Sequence, residues 1–120
     1  MRFKLSKPTT KSSGEAAEDA ALEYLKKKGL KLVCRNYRCK MGEIDLILKH
    51  QHSLVFVEVR MRNSNRFGSA VETVTASKQK KIISTAQHYL IEKRLSGNTA
   101  MRFDVVGIEG TQFNWIQNAF

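Results

Sequence analysis

The stretch from Gly42 to Arg62, "GEIDLILKHQHSLVFVEVRMR", constrains the fold of this chain more than any other. It predicts two apolar strands joined by the polar turn "HQHS". Apolar residues occupy both faces of the second strand, so we expect its sheet to be covered on both sides. Each strand also carries an acid where a core strand usually has none: Asp45 within "IDLIL" and Glu58 within "VFVEV".

Pairing the two strands across this turn predicts how the acids meet. The four residues "HQHS" set Lys49 opposite Leu54, and Asp45 then falls opposite Glu58. Directly opposed side chains have Cβ atoms about 5 Å apart, where like charges destabilise a sheet. A register slip of one residue would instead place the two acids on opposite faces.

Two hypotheses account for such a pair of half-buried carboxylates. In the first, their repulsion raises one pKa or recruits a hard divalent cation, for which oxygen atoms are the preferred ligands. In the second, Glu58 forms a structural ion pair with Arg60 or Lys40. Spacing alone leaves both hypotheses open.

A third acid comes from the predicted first helix, which begins near Ser13-Gly14 and ends at Gly29. With Ala21 at the centre of the apolar stripe, Glu18 lies about 60° away at ~100° per residue. Glu18 is therefore the acid predicted to look toward the sheet, although a solvated first-turn acid favoured by the helix dipole is the alternative. The other acids of the helix are predicted to point outward: Glu15, Asp19 and Glu23.

The rest of the chain predicts a single domain. Residues 1–13 are basic and polar and are expected to be disordered, and residues 14–120 are expected to form one α/β domain. Strands are predicted at 30–38, 43–49, 54–62, 102–109 and 113–117, with a second helix from about 77 to 95. The two cysteines, Cys34 and Cys39, are expected to be reduced, and His50 and His52 to face solvent in the turn.

The charge indicates a polyanionic partner. The net charge is +10, and the basic residues occur in runs of one sign. Nucleic acid is favoured over an anionic membrane surface, because no helix combines a basic face with exposed aromatic residues. No apolar run reaches the ~20 residues that span a bilayer, so a cytoplasmic protein is expected. The predicted nucleic-acid contacts are Arg35, Arg38, Lys40, Arg62, Arg66, Lys78, Lys80 and Lys81.

Four segments together resemble a known family: "AEDAALEYLKKKGLKLVCRNYRCKMGEIDLI", "LVFVEVRMR", "VTASKQKK" and "RFDVV…WIQNAF". In order and spacing, from about Ala17 to Phe120, the chain resembles the YraN-like family of bacterial proteins, which are predicted endonucleases. That family is similar to archaeal Holliday-junction resolvases and the wider PD-(D/E)xK nuclease superfamily. The resemblance implies a restriction-endonuclease-like α-β-β-β-α-β core around a mixed sheet.

The resemblance also implies roles for individual residues. Glu18, Asp45 and Glu58 match the acidic ligands of Mg²⁺ or Mn²⁺, and Gln79 matches a glutamine near the site. Arg60 stands where the family pattern has lysine. Arginine stays protonated and cannot act as a base, but it can orient water and stabilise charge on a phosphate.

The function implied is metal-dependent hydrolysis of DNA, including branched DNA. The alternative is a weak or inactive nuclease fold that binds nucleic acid without cutting it. A third hypothesis, a basic adaptor for acidic proteins, leaves the buried acids unexplained. RNA as a partner and assembly as a homodimer are left open, and no membrane partner is expected.

Overall fold

The computed structural model describes residues 13–62 and 70–120, so most of the predicted basic segment 1–13 lies outside the described residues. Within these ranges the chain forms two α-helices, five strands and a short 3-10 turn at Ala70–Thr73. The elements are α1 (Ser13–Lys27), β1 (Lys31–Cys39), β2 (Gly42–His50), β3 (Ser53–Arg62), α2 (Ala76–Glu92), β4 (Met101–Glu109) and β5 (Gln112–Ile116). The predicted order of elements is confirmed, although α2 ends three residues earlier than expected.

The strands form one mixed sheet in the order β1-β2-β3-β4-β5. β3 and β4 run parallel, and the other neighbours are antiparallel. A parallel pair needs a crossover connection, and α2 lies in the segment that joins β3 to β4. The predicted α/β fold with a mixed sheet is therefore confirmed.

Each face of the sheet packs against one helix. The first core joins α1 to the sheet through Ala17, Ala21, Leu22, Leu25, Leu30, Leu46, Leu48, Val55, Val57, Val106 and Ile108. The second joins α2 to the opposite face through Ile44, Ile47, Phe56, Val74, Ile82, Ala86, Tyr89, Leu90, Phe103 and Val105. The expectation that the hairpin is covered on both sides is correct. Among the described residues, no helix is both long and apolar enough to cross a lipid bilayer.

The hairpin has the predicted register with a shorter turn. Lys49 pairs with Leu54 as expected, but His50 also pairs with Ser53, so only Gln51 and His52 form the turn. Gln51 adopts a positive φ of 59°, which suits a two-residue hairpin turn. The prediction that His50 faces solvent is wrong, because its Nδ1 atom lies 2.9 Å from Nη2 of Arg102. Both cysteines are free thiols, as expected.

Candidate functional site

The candidate site lies where β2 and β3 separate. Their paired residues end at Leu46–Val57, so the predicted direct pair of Asp45 and Glu58 is not part of the ladder. Instead, Oδ2 of Asp45 accepts a hydrogen bond of 2.9 Å from the backbone N–H of Val59. The Asp45 carboxylate therefore lies between the two strands, at a position we call the fork.

β2 departs from regular alternation beside the fork. Ile44 and Ile47, three residues apart, both pack in the core of α2, whereas Leu46 packs in the core of α1. A regular strand would place Ile44 and Leu46 on the same face. The break at Asp45 explains why alternation alone could not predict where its side chain points.

Glu58 approaches the fork from β3 and is 5% exposed. Its Oε2 atom lies 3.2 Å from Nη2 of Arg60 and 3.5 Å from Nζ of Lys78, which belongs to the first turn of α2. The ion pair of Glu58 with Arg60, one of the two partners that the sequence suggested, is therefore present. Arg60 is one partner, while the second is Lys78 rather than Lys40.

Glu18 approaches the fork from α1, as its position on the helical stripe predicts. Its Oε1 atom lies 3.6 Å from Nη2 of Arg35 on β1. Nη1 of Arg35 also lies 2.9 Å from Asp19, so the prediction that Asp19 points outward is wrong. The guanidinium of Arg35 contacts two acids of α1, and its role as a nucleic-acid contact stays a prediction.

The three acids interact electrostatically. Burial and the neighbouring Glu58 carboxylate raise the pKa of Asp45 to about 6. Burial and Asp45 raise the pKa of Glu18. Burial also raises the pKa of Glu58, although Lys78 and Arg60 act in the opposite direction. All three carboxylates are therefore costly to ionise together, as expected of acids sharing one poorly solvated place.

The side chains as they stand do not form a coordination sphere. In residues 13–62 and 70–120, no group of three or more His, Cys, Asp or Glu side chains is arranged to hold a metal ion. Two of the three acids already form ion pairs. Glu18 contacts Arg35, and Glu58 contacts both Arg60 and Lys78. The donor chemistry nevertheless fits Mg²⁺ or Mn²⁺, because all three groups are carboxylates whose repulsion a cation would relieve.

Two arginine nitrogens beside the acids lack a partner within the described parts of the chain. The Nε atoms of Arg35 and Arg60 are buried and make no hydrogen bond there. An N–H donor buried without an acceptor is costly. An oxygen atom of a ligand beside Arg60 would satisfy one of these donors.

The predicted residue Gln79 has a local role at the start of α2. Its Nε2 atom donates to the carbonyl oxygen of Val74 at 3.0 Å. One turn earlier, the Thr75 side chain caps the helix by accepting the N–H of Lys78 at 3.2 Å. These bonds fix the first turn of α2 and so fix where Lys78 stands relative to Glu58.

The other predicted basic contacts divide by position. Lys40, Lys80 and Lys81 are exposed. The β1–β2 turn packs beside the first two turns of α2, because a Cβ added at Gly42 would lie 3.5 Å from the Cβ of Lys81. Arg38 is exposed and paired with Glu43 at 3.1 Å. Arg66 lies outside the described residues, and of Arg62 the structure describes the backbone alone.

Sequence reasoning missed a buried carboxylate on β4. Asp104 is fully buried and accepts hydrogen bonds from Nε of Arg102 at 3.0 Å, from Nε1 of Trp115 at 2.9 Å and from the backbone N–H of Asn118 at 2.9 Å. This network ties the C-terminal residues to the sheet. The signal was available in the sequence, because Asp104 interrupts the apolar run "FDVV" as Asp45 interrupts "IDLIL".

The fold and the site define a three-layer α/β protein with a cluster of three carboxylates where two strands of its mixed sheet separate. The chain belongs to the uncharacterised protein family UPF0102, whose family model matches residues 17–108. It is similar to a UPF0102 protein of Saccharophagus degradans, with 52% identity over 108 residues that cover 90% of this chain and 92% of the relative. It is also similar to a UPF0102 protein of Nitrosococcus oceani, with 46% identity over 119 residues that cover 95% and 96% of the two chains. These names state no activity, and the likeness to the nuclease superfamily stays a prediction.

Proposed function

We propose that this protein is a cytoplasmic, metal-dependent endonuclease that hydrolyses phosphodiester bonds in DNA, including branched DNA. One observation carries the proposal: Glu18, Asp45 and Glu58, from three different elements, interact at the fork with raised pKa values. Like charges held together in a poorly solvated place cost free energy, which a divalent cation would offset.

Glu18, Asp45 and Glu58 would hold Mg²⁺ or Mn²⁺ through their carboxylate oxygens. When bound, such a cation would polarise a phosphate oxygen and lower the pKa of a water molecule. Glu58 can become available because Lys78 is not fixed by burial: its side chain is 42% exposed and can turn into solvent. Asp45 would keep its hydrogen bond from Val59 and so keep its place at the fork.

Arg60 would hold the phosphate rather than move a proton. Its guanidinium stays protonated at any working pH, so it cannot accept a proton from water. Its Nε–H is buried without a partner among the described residues, 29% of the side chain is exposed, and Nη2 already contacts Glu58. A phosphate oxygen is a strong acceptor for such a donor, and the charge-assisted bond would stabilise negative charge that develops during hydrolysis.

Exposed lysines would guide the nucleic-acid backbone toward the fork. Lys78 lies in the first turn of α2, where the helix dipole disfavours cations and favours anions, and Lys80 and Lys81 follow it in the second turn. Lys40 lies in the turn that packs beside this helix end. A phosphate bound here would offset the unfavourable placement of these charges, and the same charges would attract RNA.

The test is a cleavage screen with a matched pair of variants. The wild type, Asp45→Asn and Glu43→Gln would be incubated with a four-way junction, a flap, a nicked duplex, a plain duplex and the corresponding RNAs, with Mg²⁺ or Mn²⁺. Glu43 lies two residues from Asp45 and pairs with Arg38, so it controls for the loss of one acid. We expect the wild type and Glu43→Gln to cut at least one DNA, and Asp45→Asn to cut none. Intact substrates in every wild-type reaction would overturn the proposal.

A second candidate function is nucleic-acid binding without cleavage. It is favoured by the contacts of Glu58, which already has two cationic partners, and by arginine at position 60. A wild type that binds DNA, leaves it intact and melts at the same temperature with and without Mg²⁺ and Mn²⁺ would support this function. Assembly as a homodimer stays a prediction under either function.

A further inference from the structure

Lys78 belongs to the first turn of α2, yet its charge lies against an acid of β3. Its Nζ atom is 3.5 Å from Oε2 of Glu58, and the Glu58 side chain is buried. The side chain of Lys78 nevertheless stays 42% exposed. The pair therefore joins a buried anion to a cation that keeps contact with solvent.

Glu58 does not depend on Lys78 alone for its neutralisation. The same Oε2 atom lies 3.2 Å from Nη2 of Arg60, whose side chain is 29% exposed. Charge-assisted bonds from nitrogen to a carboxylate oxygen are typically about 2.7–2.9 Å long, so both contacts are long and that of Lys78 is the looser. Lys78 can thus leave without stranding a buried carboxylate, because Arg60 stays beside Glu58.

The backbone of Lys78 is fixed while its ammonium group can move. Its backbone N–H donates to Oγ1 of Thr75 at 3.2 Å, and this bond caps the helix. The side chain is a flexible four-carbon stem, so the ammonium can turn away while the helix stays in place. The first turn of a helix also disfavours a cation. The ion pair with Glu58 offsets this unfavourable placement, and a phosphate would offset it equally well.

An ammonium released from Glu58 would join the exposed lysines of the same helix. Lys81 lies three residues after Lys78, and residues at this spacing are neighbours on a helix surface. Lys80 and Lys81 are both exposed. A nucleic-acid backbone drawn to these lysines would therefore compete with Glu58 for the charge of Lys78.

We propose that Lys78 is a shared cation, which pairs with Glu58 in the free protein and with a nucleic-acid phosphate once a metal ion has taken its place on Glu58. The metal half of this inference rests on the proposed function, whereas the competition between Glu58 and phosphate requires only that the protein binds nucleic acid. Metal and nucleic acid then strengthen each other's binding, because coupling between two sites is reciprocal. A partly exposed ion pair contributes little, so the coupling should be about 3-fold.

A permanent ion pair makes a different prediction. If Lys78 stays on Glu58 in every state, the charge of Glu58 acts on DNA through general repulsion alone. Removing that charge would then raise DNA affinity by the same factor with or without Lys78. Sharing predicts instead that the gain depends on Lys78, and a double-mutant cycle separates these outcomes.

The first measurement is made in EDTA and needs no metal. Fluorescence anisotropy would give the affinities of the wild type, Glu58→Gln, Lys78→Gln and the double variant for a labelled DNA duplex and a labelled four-way junction. We expect the gain from Glu58→Gln to be about 3-fold larger with Lys78 present than in the Lys78→Gln background. Lys80→Gln removes an exposed lysine of the same helix and is the matched control, in which the full gain should persist.

Two outcomes of this cycle would overturn the inference. One is a gain from Glu58→Gln that is absent, or equal with and without Lys78. The other is a wild type that binds neither DNA at low salt.

The second measurement leaves Glu58 intact, so the inference stays testable if Glu58→Gln fails to fold. Electron paramagnetic resonance would give the Mn²⁺ dissociation constant of the full chain without DNA. We expect Lys78→Gln to bind Mn²⁺ about 3-fold more tightly than the wild type, because the competitor for Glu58 is gone, and Lys80→Gln to match the wild type. Equal or weaker binding by Lys78→Gln would refute the exchange of Lys78 for metal. A wild type that binds DNA but no Mn²⁺ would defeat the proposed function instead, and the cycle in EDTA would still decide whether Glu58 and phosphate share Lys78.

Discussion

Oδ2 of Asp45 lies 2.9 Å from the backbone nitrogen of Val59 and accepts its hydrogen bond at the point where the β2–β3 ladder ends. This one carboxylate has two separable properties. It satisfies a backbone donor that the partner strand leaves open, and it brings a negative charge between Glu18 and Glu58. An asparagine at position 45 would retain the first property and remove the second.

Asp45→Asn should therefore stabilise the metal-free protein at high pH. The pKa of Asp45 is raised to about 6 in the folded state from an ordinary 3.8, so the native state binds this proton more tightly than the unfolded chain. The stability contributed by that proton is present below about pH 4 and is lost as pH rises through about 6. At pH 8 we expect the free energy of unfolding of the variant to exceed that of the wild type by about 1–2 kcal/mol, after allowance for the partial exposure of Asp45.

Urea unfolding at pH 4, 6 and 8 would measure this difference. The gain in the free energy of unfolding of Asp45→Asn should be small at pH 4 and largest at pH 8. Glu43→Gln should stay within about 0.5 kcal/mol of the wild type at all three pH values. An Asp45→Asn protein that is less stable than the wild type at pH 8 would show that the carboxylate is a needed partner of a buried cation.

Lys78→Gln should lower the stability of the protein, whereas Asp45→Asn should raise it. Both effects should be larger at high pH than at low pH. Lys78 is the largest influence that lowers the pKa of Glu58, so its removal leaves that buried carboxylate with Arg60 as its cationic partner among the described residues. The pKa of Glu58 should then rise further, and stability should fall as Glu58 ionises. We expect a loss of about 1 kcal/mol at pH 8 and less at pH 5, discounted because Lys78 is half exposed. Lys80→Gln, on the same helix, should behave as the wild type.

DNA binding should depend steeply on salt and on one end of the sheet. If about six phosphates are neutralised, the logarithm of the binding constant should fall against the logarithm of salt concentration with a slope near −5. Replacing Lys40 and Lys81 by glutamine should weaken binding and reduce this slope by about 2. The control replaces Lys49 and Lys93, at the other ends of β2 and α2, and should leave the slope unchanged. Equal effects of both double variants in filter-binding titrations would argue against a contact surface beside the fork.

Asp104→Ala should be the most destabilising of these substitutions. It removes the acceptor shared by Arg102, Trp115 and the backbone of Asn118, and it leaves the Arg102 side chain, mostly buried, without its carboxylate. We expect a loss of about 3 kcal/mol in the free energy of unfolding. Urea melts followed by Trp115 fluorescence would measure it, with Glu109→Gln at the far end of β4 as the control. A loss below 1 kcal/mol would mean that the network contributes little.

The sequence predicted the framework because its signals are local. The apolar runs of β2 and β3, the stripe on α1 and the stop at Gly29 each act over a few residues, and all three appear in the structure. The helical period alone predicted that Glu18 faces the sheet, whereas its place beside Asp45 depends on how α1 packs on the strands.

The missing parts depend on backbone irregularity and on contacts between distant segments. Lys78 could not be assigned to Glu58 from spacing, since the first turn of α2 reaches β3 only in the folded protein. The break in β2 at Asp45 and the left-handed Asn36 beside it both violate the regular alternation on which the prediction of faces relied. An asparagine inside "VCRNYRC" is a weak strand former and is the one local sign of that irregularity.

The parallel pairing of β3 with β4 has a consequence for the order of events during folding. The antiparallel pairs β1–β2, β2–β3 and β4–β5 join segments that are neighbours in the chain. The parallel pair β3–β4 joins distant segments, since Glu58 pairs with Val105. Closing so long a loop costs entropy before any contact compensates it, and such pairing is slow. During synthesis from the N-terminus, every acid of the fork leaves the ribosome before β4 exists. The burial of Glu58 is then completed only when the last sixth of the chain docks, so a chain that lacks β4 would leave the Glu58 carboxylate more hydrated than the folded protein does.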